Sequence, residues 1–284
     1  MISDLAMVST QSALGQAFSE TVDPSAYVPR EATESVLSSL HAWTKGHGIG
    51  TTVGALVATP GLGKTFLLRV LERRINSQSN PGDQRPRVLY LPYAGMLLPD
   101  LCAWVYGLLG RSPGLSDGRA DAAAALESLL ALAGNPDDPF YLLMDDADSM
   151  PQETVQAFLE GLPRERSPLR ILLGLNRDAK SSRLLAALDP FEIFEIGLSP
   201  PMSEEETSNY VFSRMRWAGL GEQHVARLDA HAISRIQALS GGVPRRVHVV
   251  AESLFEPASR QFPNELDVKQ KREDWMGRPI EDEL

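Results

Sequence analysis

Residues Ala58-Thr59-Pro60-Gly61-Leu62-Gly63-Lys64-Thr65 place a small residue, four further positions, and then Gly-Lys-Thr in a row. This spacing reads as a phosphate-binding loop. Glycines at 61 and 63 permit the positive φ that turns backbone N–H groups inward around phosphate oxygens. Lys64 is placed to reach the β- and γ-phosphates, and Thr65 to set its hydroxyl on Mg²⁺. Thr59, Pro60 and Leu62 complete the loop, and Phe66 follows in the helix that points the positive end of its dipole at the same phosphates. Ala58 stands where glycine is usual, and a small residue suffices there. A glycine-rich turn with an incidental lysine is the alternative, and the flanks oppose it. Thr51 to Val57 is an apolar strand, and Phe66, Leu67, Val70, Leu71 and Ile75 form an apolar helix face at 3.6-residue spacing.

Carboxylates that could serve such a loop end the run Phe140-Tyr141-Leu142-Leu143-Met144-Asp145-Asp146. A continuous apolar stretch ending in acids is how a buried parallel strand delivers groups to a site at its C-terminal end. Asp145 is the expected Mg²⁺ ligand beside Thr65, and Asp146 the group that orients or deprotonates an attacking water. A strand that merely ends in a solvated acidic turn is the competing interpretation. Arg170 to Leu175 makes a further strand and delivers Asn176, which either reaches the γ-phosphate or the water, or is an ordinary loop asparagine. Arg245 and Arg246 follow Pro244 in the first turn of a helix, where cations oppose the helix dipole. That placement suggests a nucleotide phosphate as partner, against a solvated arginine pair.

The elements that must position these groups alternate. A helix from Arg30 carries Val36, Leu37, Leu40 and Trp43 on one face and breaks at Gly46-His47-Gly48. Beyond the loop helix come a polar stretch from Ser77 to Arg87, a strand Val88 to Leu91, helices Leu97 to Leu109 and Asp121 to Ala133, then the two strands above. A short helix Ser181 to Leu188 and a strand Phe191 to Ile196 complete the series. Alternation of this kind predicts an α/β fold: a P-loop NTPase parallel sheet flanked by helices, over residues 24–200. From Ser203 the pattern is helical only, with Glu204 to Trp217, Gln223 to Leu239 and Pro244 to Phe255. A small all-helical lid over 201–258 is expected, with 1–23 an N-terminal arm that is mobile or lightly docked and 259–284 a charged tail.

With 284 residues the chain can bury a sizeable core, and a net charge of -10 argues against nucleic-acid binding through overall electrostatics. Arg69, Arg73, Arg74, Arg85 and Arg87 could still make a local basic surface, or be paired with acids such as Glu72. No apolar run approaches a membrane span. Cys102 is the single cysteine and the first basic residue is Arg30, so no disulfide and a cytoplasmic location are expected.

In this order the residues resemble AAA+ ATPases, and within them the bacterial ExeA-type group, to which secretion-pathway ATPases and target-selecting transposition ATPases are similar. The resemblance spans roughly residues 24 to 256. It is carried by Tyr27-Val28-Pro29, the phosphate loop, the strand into Asp145-Asp146-Ala147, Asn176, Pro201-Met202-Ser203-Glu204-Glu205-Glu206-Thr207, Ala218-Gly219-Leu220 and Gly242-Val243-Pro244-Arg245-Arg246. It implies ATP with Mg²⁺ as cofactors, Lys64 and Thr65 as Walker A residues, Asp145 and Asp146 as the Walker B pair, Asn176 as sensor 1 and Arg245 as sensor 2. It also implies sites at subunit interfaces and homo-oligomers in the form of rings or helical filaments. The group usually has glutamate where Asp146 stands, and the shorter acid predicts slow hydrolysis. It usually has an arginine before the lid that reaches the neighbouring subunit's γ-phosphate, and Arg183, less well Arg177, is the nearest candidate. The leading expectation is an ATPase switch that oligomerises when loaded and recruits a partner protein. The alternatives are an ATP-dependent DNA-binding regulator of transposition or recombination, and a non-hydrolysing adaptor that keeps nucleotide as a structural cofactor.

Overall fold

The computed structural model describes residues 12–45, 51–78, 86–112, 121–225 and 228–255. The expected break at Gly46-His47-Gly48, Arg85 and the tail 259–284 lie outside them. Residues 12–18 are helical (α1), followed by a 3-10 turn at Pro24–Ala26, α2 (Glu31–Thr44) and β1 (Val53–Ala58). Then come α3 (Lys64–Asn76), β2 (Val88–Leu91), α4 (Leu98–Leu108), α5 (Ala122–Ala133), β3 (Phe140–Met144) and α6 (Gln152–Gly161). β4 (Leu169–Asn176), α7 (Ala179–Ala187) and β5 (Phe194–Leu198) close the alternating part, and α8 (Glu204–Trp217), α9 (Glu222–Val225), α10 (Ala230–Ser240) and α11 (Pro244–Phe255) follow. Chain contacts divide these into Val22–Ser199 and a second unit that joins Pro200 onward to the N-terminal residues through Thr21. Among the described residues no helix is long and apolar enough to cross a membrane.

The first unit is built on a five-stranded sheet in the order β2-β3-β4-β1-β5, every pairing parallel. A parallel sheet must be covered on both faces, and the strand residues alternate accordingly. Val53, Ala55 and Val57 join Phe140, Leu142, Met144, Ile171 and Leu173 against Leu101 and Val105 of α4, Leu129 of α5 and Phe158 of α6. On the other face α2 and α3 pack, and Gly54 is a glycine because a Cβ there would come within 3.3 Å of the Trp43 ring. Trp43 stacks on Phe194 at 6.1 Å, meets Tyr141 edge-on at 5.5 Å, and donates its indole N–H to Thr51 Oγ1 at 3.0 Å.

Three elements differ from the sequence expectation. Helix α6 is absent from the alternation read above, although Val155, Phe158 and Leu159 give it an inward stripe. β5 begins at Phe194 rather than Phe191, because Asp189-Pro190-Phe191 form a 3-10 turn and Phe191 is buried as its anchor. The helix expected from Gln223 to Leu239 is two: Asp229 caps α10 by accepting from Ala232 N–H at 2.8 Å, which starts a new helix.

Within the expected arm 1–23, the described residues from 12 onward include a helix that packs into the second unit. Leu14, Ala17 and Phe18 of α1 are buried in its core with Val211 and Met215 of α8, Ile236 of α10 and Val247 of α11. Arg214, only 2% exposed, donates from Nε to Ala17 O at 2.7 Å and from Nη2 to Ser19 O at 3.2 Å, satisfying the carbonyls where α1 ends. The capping box holds as expected: Ser203 Oγ accepts from Glu206 N–H at 3.1 Å and Glu206 Oε2 from Ser203 N–H at 2.9 Å. Gly241 and Gly242 end α10 at φ 61 and 70, and a Cβ on Gly242 would sit 2.0 Å from Met202 O.

His248 of α11 shares a 2.7 Å hydrogen bond between Nε2 and the Tyr210 hydroxyl, while its buried Nδ1 has no partner among the described residues. Burial first, then the Arg214 cation, pushes this imidazole down to about 4.

Two expectations follow from this packing. Phe18→Ala should destabilise the protein by about 3–5 kcal/mol in urea unfolding, the range for a buried aromatic, where an undocked arm would give less than about 0.5 kcal/mol. A histidine depressed in the folded state contributes stability above its unfolded value of 6.5 that is lost as pH falls toward about 4. Wild type should therefore lose about 1–2 kcal/mol more than His248→Gln between pH 7 and pH 5, read from unfolding midpoints at the two pH values.

Candidate active site

Because every strand runs the same way, the loop after β1 and the ends of β3 and β4 share one edge of the sheet. The register places Ala58 level with Asn176 and Met144 level with Leu173, so Asp145 emerges beside Gly174. β4 lies between the strand that carries the phosphate loop and the strand that carries the acids. The chain leaves β1 for the far strand β2 and only later returns to β5 on its other side. Such reversal points are where open parallel sheets bind ligands.

The loop has the expected shape. Gly61 and Gly63 stand at φ 86 and 98, and Leu62 N–H bonds Thr59 O at 3.3 Å. α3 starts at Lys64, so the N–H groups of Lys64, Thr65 and Phe66 have no carbonyl one turn earlier and are available to an anion. The Phe66 ring lies 6.1 Å from that of Tyr27, which anchors the lead-in segment beside the loop helix. Arg74 sits 5.4 Å from the centre of the same Tyr27 ring and pairs with Glu34 through bonds of 3.0 and 2.8 Å. Burial pushes the Tyr27 phenol up to about 12, and its hydroxyl shares a 2.7 Å bond with Thr33 Oγ1.

Four of the expected residues meet at one point. Lys64, 8% exposed, donates from Nζ to Asn176 Oδ1 at 3.3 Å and lies 3.6 Å from Asp145 Oδ1 and 4.0 Å from Asp146 Oδ1. Asp145 is 2% exposed. Its Oδ1 accepts the Asp146 N–H at 3.0 Å and its Oδ2 the Tyr90 hydroxyl at 3.2 Å. Asp146 takes the left-handed conformation at φ 47, which turns its N–H back onto Asp145, and its side chain is 59% exposed. Thr65 is half-buried in the first turn of α3.

The donor chemistry suits a magnesium ion. Among the described residues no three His, Cys, Asp or Glu side chains cluster as a protein-only metal cage. One or two carboxylates with a hydroxyl, completed by water and phosphate oxygens, is how Mg²⁺ is usually held, and Asp145 with Thr65 would supply the protein's share.

Other candidates lie elsewhere. Arg183 is exposed on α7, and Arg177 extends over Gly197, where a Cβ would come within 3.2 Å of its Nη2. Arg245 belongs to the second unit and pairs with Glu20 at 2.8 Å. Of the five arginines considered for a basic surface, three have acid partners, Arg69 with Glu72 at 2.6 Å, Arg74 with Glu34 at 2.8 Å and Arg87 with Asp138 at 3.0 Å, and Arg85 lies outside the described residues.

Two residues of the site escape the motif reading. Tyr90 of β2 reaches Asp145 across the sheet, with its own N–H held by Glu72 Oε1 at 2.9 Å and Arg69 4.9 Å from the centre of its ring. Burial, and then the charge of Asp145, raises its phenol above the usual range. Gly174 makes room for the acid: a Cβ there would lie 2.7 Å from Asp145 Oδ1 and 3.0 Å from Leu68 Cδ1. A lone glycine inside the apolar run Leu172-Leu173-Gly174-Leu175 was the available signal.

Comparison with known proteins bears on the fold. No protein-family model matches the chain, and no curated protein matches it. Solved structures do. Cdc6p from Pyrobaculum aerophilum superposes with a TM-score of 0.62 at 17% identity, over 91% of this chain and 66% of that one. The ORC2 protein of Aeropyrum pernix in its ADP form gives 0.58 at 18% identity over 90% and 71%, and a Walker-type ATPase of Pyrococcus abyssi 0.54 at 12% over 87% and 71%. The chain thus spans about two thirds of the length of the Cdc6 protein. At these identities the likeness establishes the architecture alone: the P-loop NTPase parallel sheet flanked by helices that these structures share.

Gly174→Ala should cost about 1–3 kcal/mol of stability, as overpacking does, and should displace the Asp145 carboxylate. The first effect is read by urea unfolding, and the second by a change in the hydrogen-exchange protection of the Asp146 amide.

Proposed function

We propose that this chain is an ATPase switch: it binds Mg-ATP at the loop from Thr59 to Phe66, assembles with further copies when loaded, recruits a partner protein in that state, and hydrolyses ATP slowly. The observation that supports this most is the convergence on Lys64 Nζ of Asn176 at 3.3 Å and of Asp145 and Asp146 at 3.6 and 4.0 Å. A buried cation held by anions at the mouth of a cradle of N–H groups is set to exchange those anions for phosphate.

The chain's own groups divide the work. The N–H groups of the loop and of the first turn of α3 bind the phosphate oxygens, and Lys64 swings from the carboxylates to the β- and γ-phosphates. Thr65 and Asp145 would hold Mg²⁺, which would supply charge neutralisation to the phosphates. Asn176 orients the γ-phosphate or the attacking water, and Asp146 accepts the water's proton at its exposed carboxylate. Arg245 acts as the lid residue that senses the γ-phosphate, with Arg183 as the group offered to the neighbouring copy. Loss of the γ-phosphate then removes the charge both arginines were holding.

The DNA-binding alternative draws on the sequence resemblance more than on composition, and three of the five arginines considered for it, Arg69, Arg74 and Arg87, pair with acids. A non-hydrolysing adaptor differs from the favoured reading only in whether phosphate is released over many turnovers.

The test is particle mass and shape by electron microscopy with Mg-ATP, with ADP as control and with duplex DNA added in a separate arm. Rings or filaments with ATP alone are expected, and assemblies that form only on DNA would favour the alternative. Lys64→Ala should lower ATP affinity roughly 10–100-fold, the worth of a charge-assisted hydrogen bond, and abolish assembly with it. Normal assembly of that variant with ATP would refute the switch.

A further inference from the structure

The Asp145 carboxylate is gripped at both oxygens, and the two grips differ in kind. Oδ1 takes the Asp146 N–H at 3.0 Å and faces the Lys64 cation at 3.6 Å. Oδ2 takes a neutral donor, the Tyr90 hydroxyl, at 3.2 Å. Cationic partners compete with a metal for a carboxylate's charge, whereas a neutral hydroxyl fixes its orientation and leaves the charge in place. Second partners of this sort are what orient metal ligands.

Tyr90 is itself held rigidly. It is 9% exposed on β2, its N–H is bonded to Glu72 Oε1 at 2.9 Å, and the Arg69 guanidinium lies 4.9 Å from its ring centre. Glu72 in turn pairs with Arg69 at 2.6 Å, so α3 clamps the ring from outside while the hydroxyl points across β2 to the acid on β3. Once Lys64 turns to phosphate, Tyr90 is the one side-chain donor left on Asp145 among the described residues.

We propose that Tyr90 is a positioning residue for the metal site: its hydroxyl sets the Asp145 carboxylate for Mg²⁺ without contributing to the attachment of the nucleotide itself. This rests on the nucleotide-binding reading above and adds to it a residue outside the loop and the acid pair.

The experiment uses the full chain and a fluorescent ATP analogue, titrated first in EDTA and then with increasing Mg²⁺. Tyr90→Phe, which removes one oxygen and keeps the ring, should bind the analogue in EDTA within about twofold of wild type while its Mg²⁺ midpoint rises roughly 10–100-fold, the usual loss when a ligand's orienting partner is removed. Arg69→Gln loosens the ring and retains the hydroxyl, and should move the Mg²⁺ midpoint by less than about fivefold, the worth of one exposed cation–π contact. Equal Mg²⁺ midpoints for wild type and Tyr90→Phe overturn the assignment. So do equal shifts in both variants, which would mean that β2 merely supports the site, and so does a matching loss of affinity in EDTA. A wild type that binds no analogue under either condition overturns the nucleotide reading and this one together, whereas a binding wild type with an unmoved Tyr90→Phe midpoint overturns this one alone.

Discussion

The structure of the first unit turns on a buried cation. Lys64 is 8% exposed, and an ammonium group taken out of water is costly unless anions and acceptors surround it. Asp145, Asp146 and Asn176 meet that need, the two acids from the end of β3 and the asparagine from the end of β4. Bringing them to one lysine requires that β3 and β4 end level with β1, which only a parallel sheet with β4 inserted beside β1 provides. The crossover helices, the glycine at 174 and the tyrosine at 90 all follow from seating these groups at a single point. On the proposed nucleotide reading, a phosphate entering the loop would offer Lys64 an alternative partner and free a carboxylate for a metal.

How far the sequence discloses this depends on whether the information is local. The loop is local, since two glycines, a lysine and a threonine in fixed order specify both the backbone path and the chemistry, and Gly61 and Gly63 adopt the positive φ expected of them. The strand into Asp145 and the strand into Asn176 were legible because fully buried strands are continuous apolar runs. Tyr90 was not legible. Its role depends on β2 lying next to β3, and the sheet order is a property of long-range pairing that no stretch of sequence states. The same reason hides α1: its small and polar residues look unremarkable until Arg214, nearly two hundred residues later, reaches its last carbonyls. Boundaries erred where a single residue overrode periodicity, as at Pro190 before β5 and Asp229 before α10.

In the second unit α1 shares one core with α8, α10 and α11. Arg214 is the instructive residue, because among the described residues its buried guanidinium meets no carboxylate and donates to carbonyls at the end of α1. Burial lowers its pKa from the usual arginine value, yet a group that basic stays charged, so its presence fixes α1 in place more stringently than apolar contact would. The same α1 residues lead directly to Glu20, whose carboxylate meets Arg245 at 2.8 Å. Helix α1, packed in this core, thus leads into the acid that pairs with an arginine that the proposed reading assigns to phosphate.

The aspartate at 146 has a conformational cause. Its backbone stands at φ 47, a region that L-residues rarely enter and in which short polar side chains are favoured. The reward is the bond from its own N–H to Asp145 Oδ1 at 3.0 Å, which helps to hold that buried carboxylate. Glutamate, the usual residue in the ATPases this sequence resembles, would bring its acid one methylene farther out but lacks that preference for the left-handed turn. The residue chosen therefore favours a well-held Asp145 over reach toward water. On the proposed reading, an acid that reaches less far toward water would slow hydrolysis, and slow hydrolysis suits a switch better than a motor.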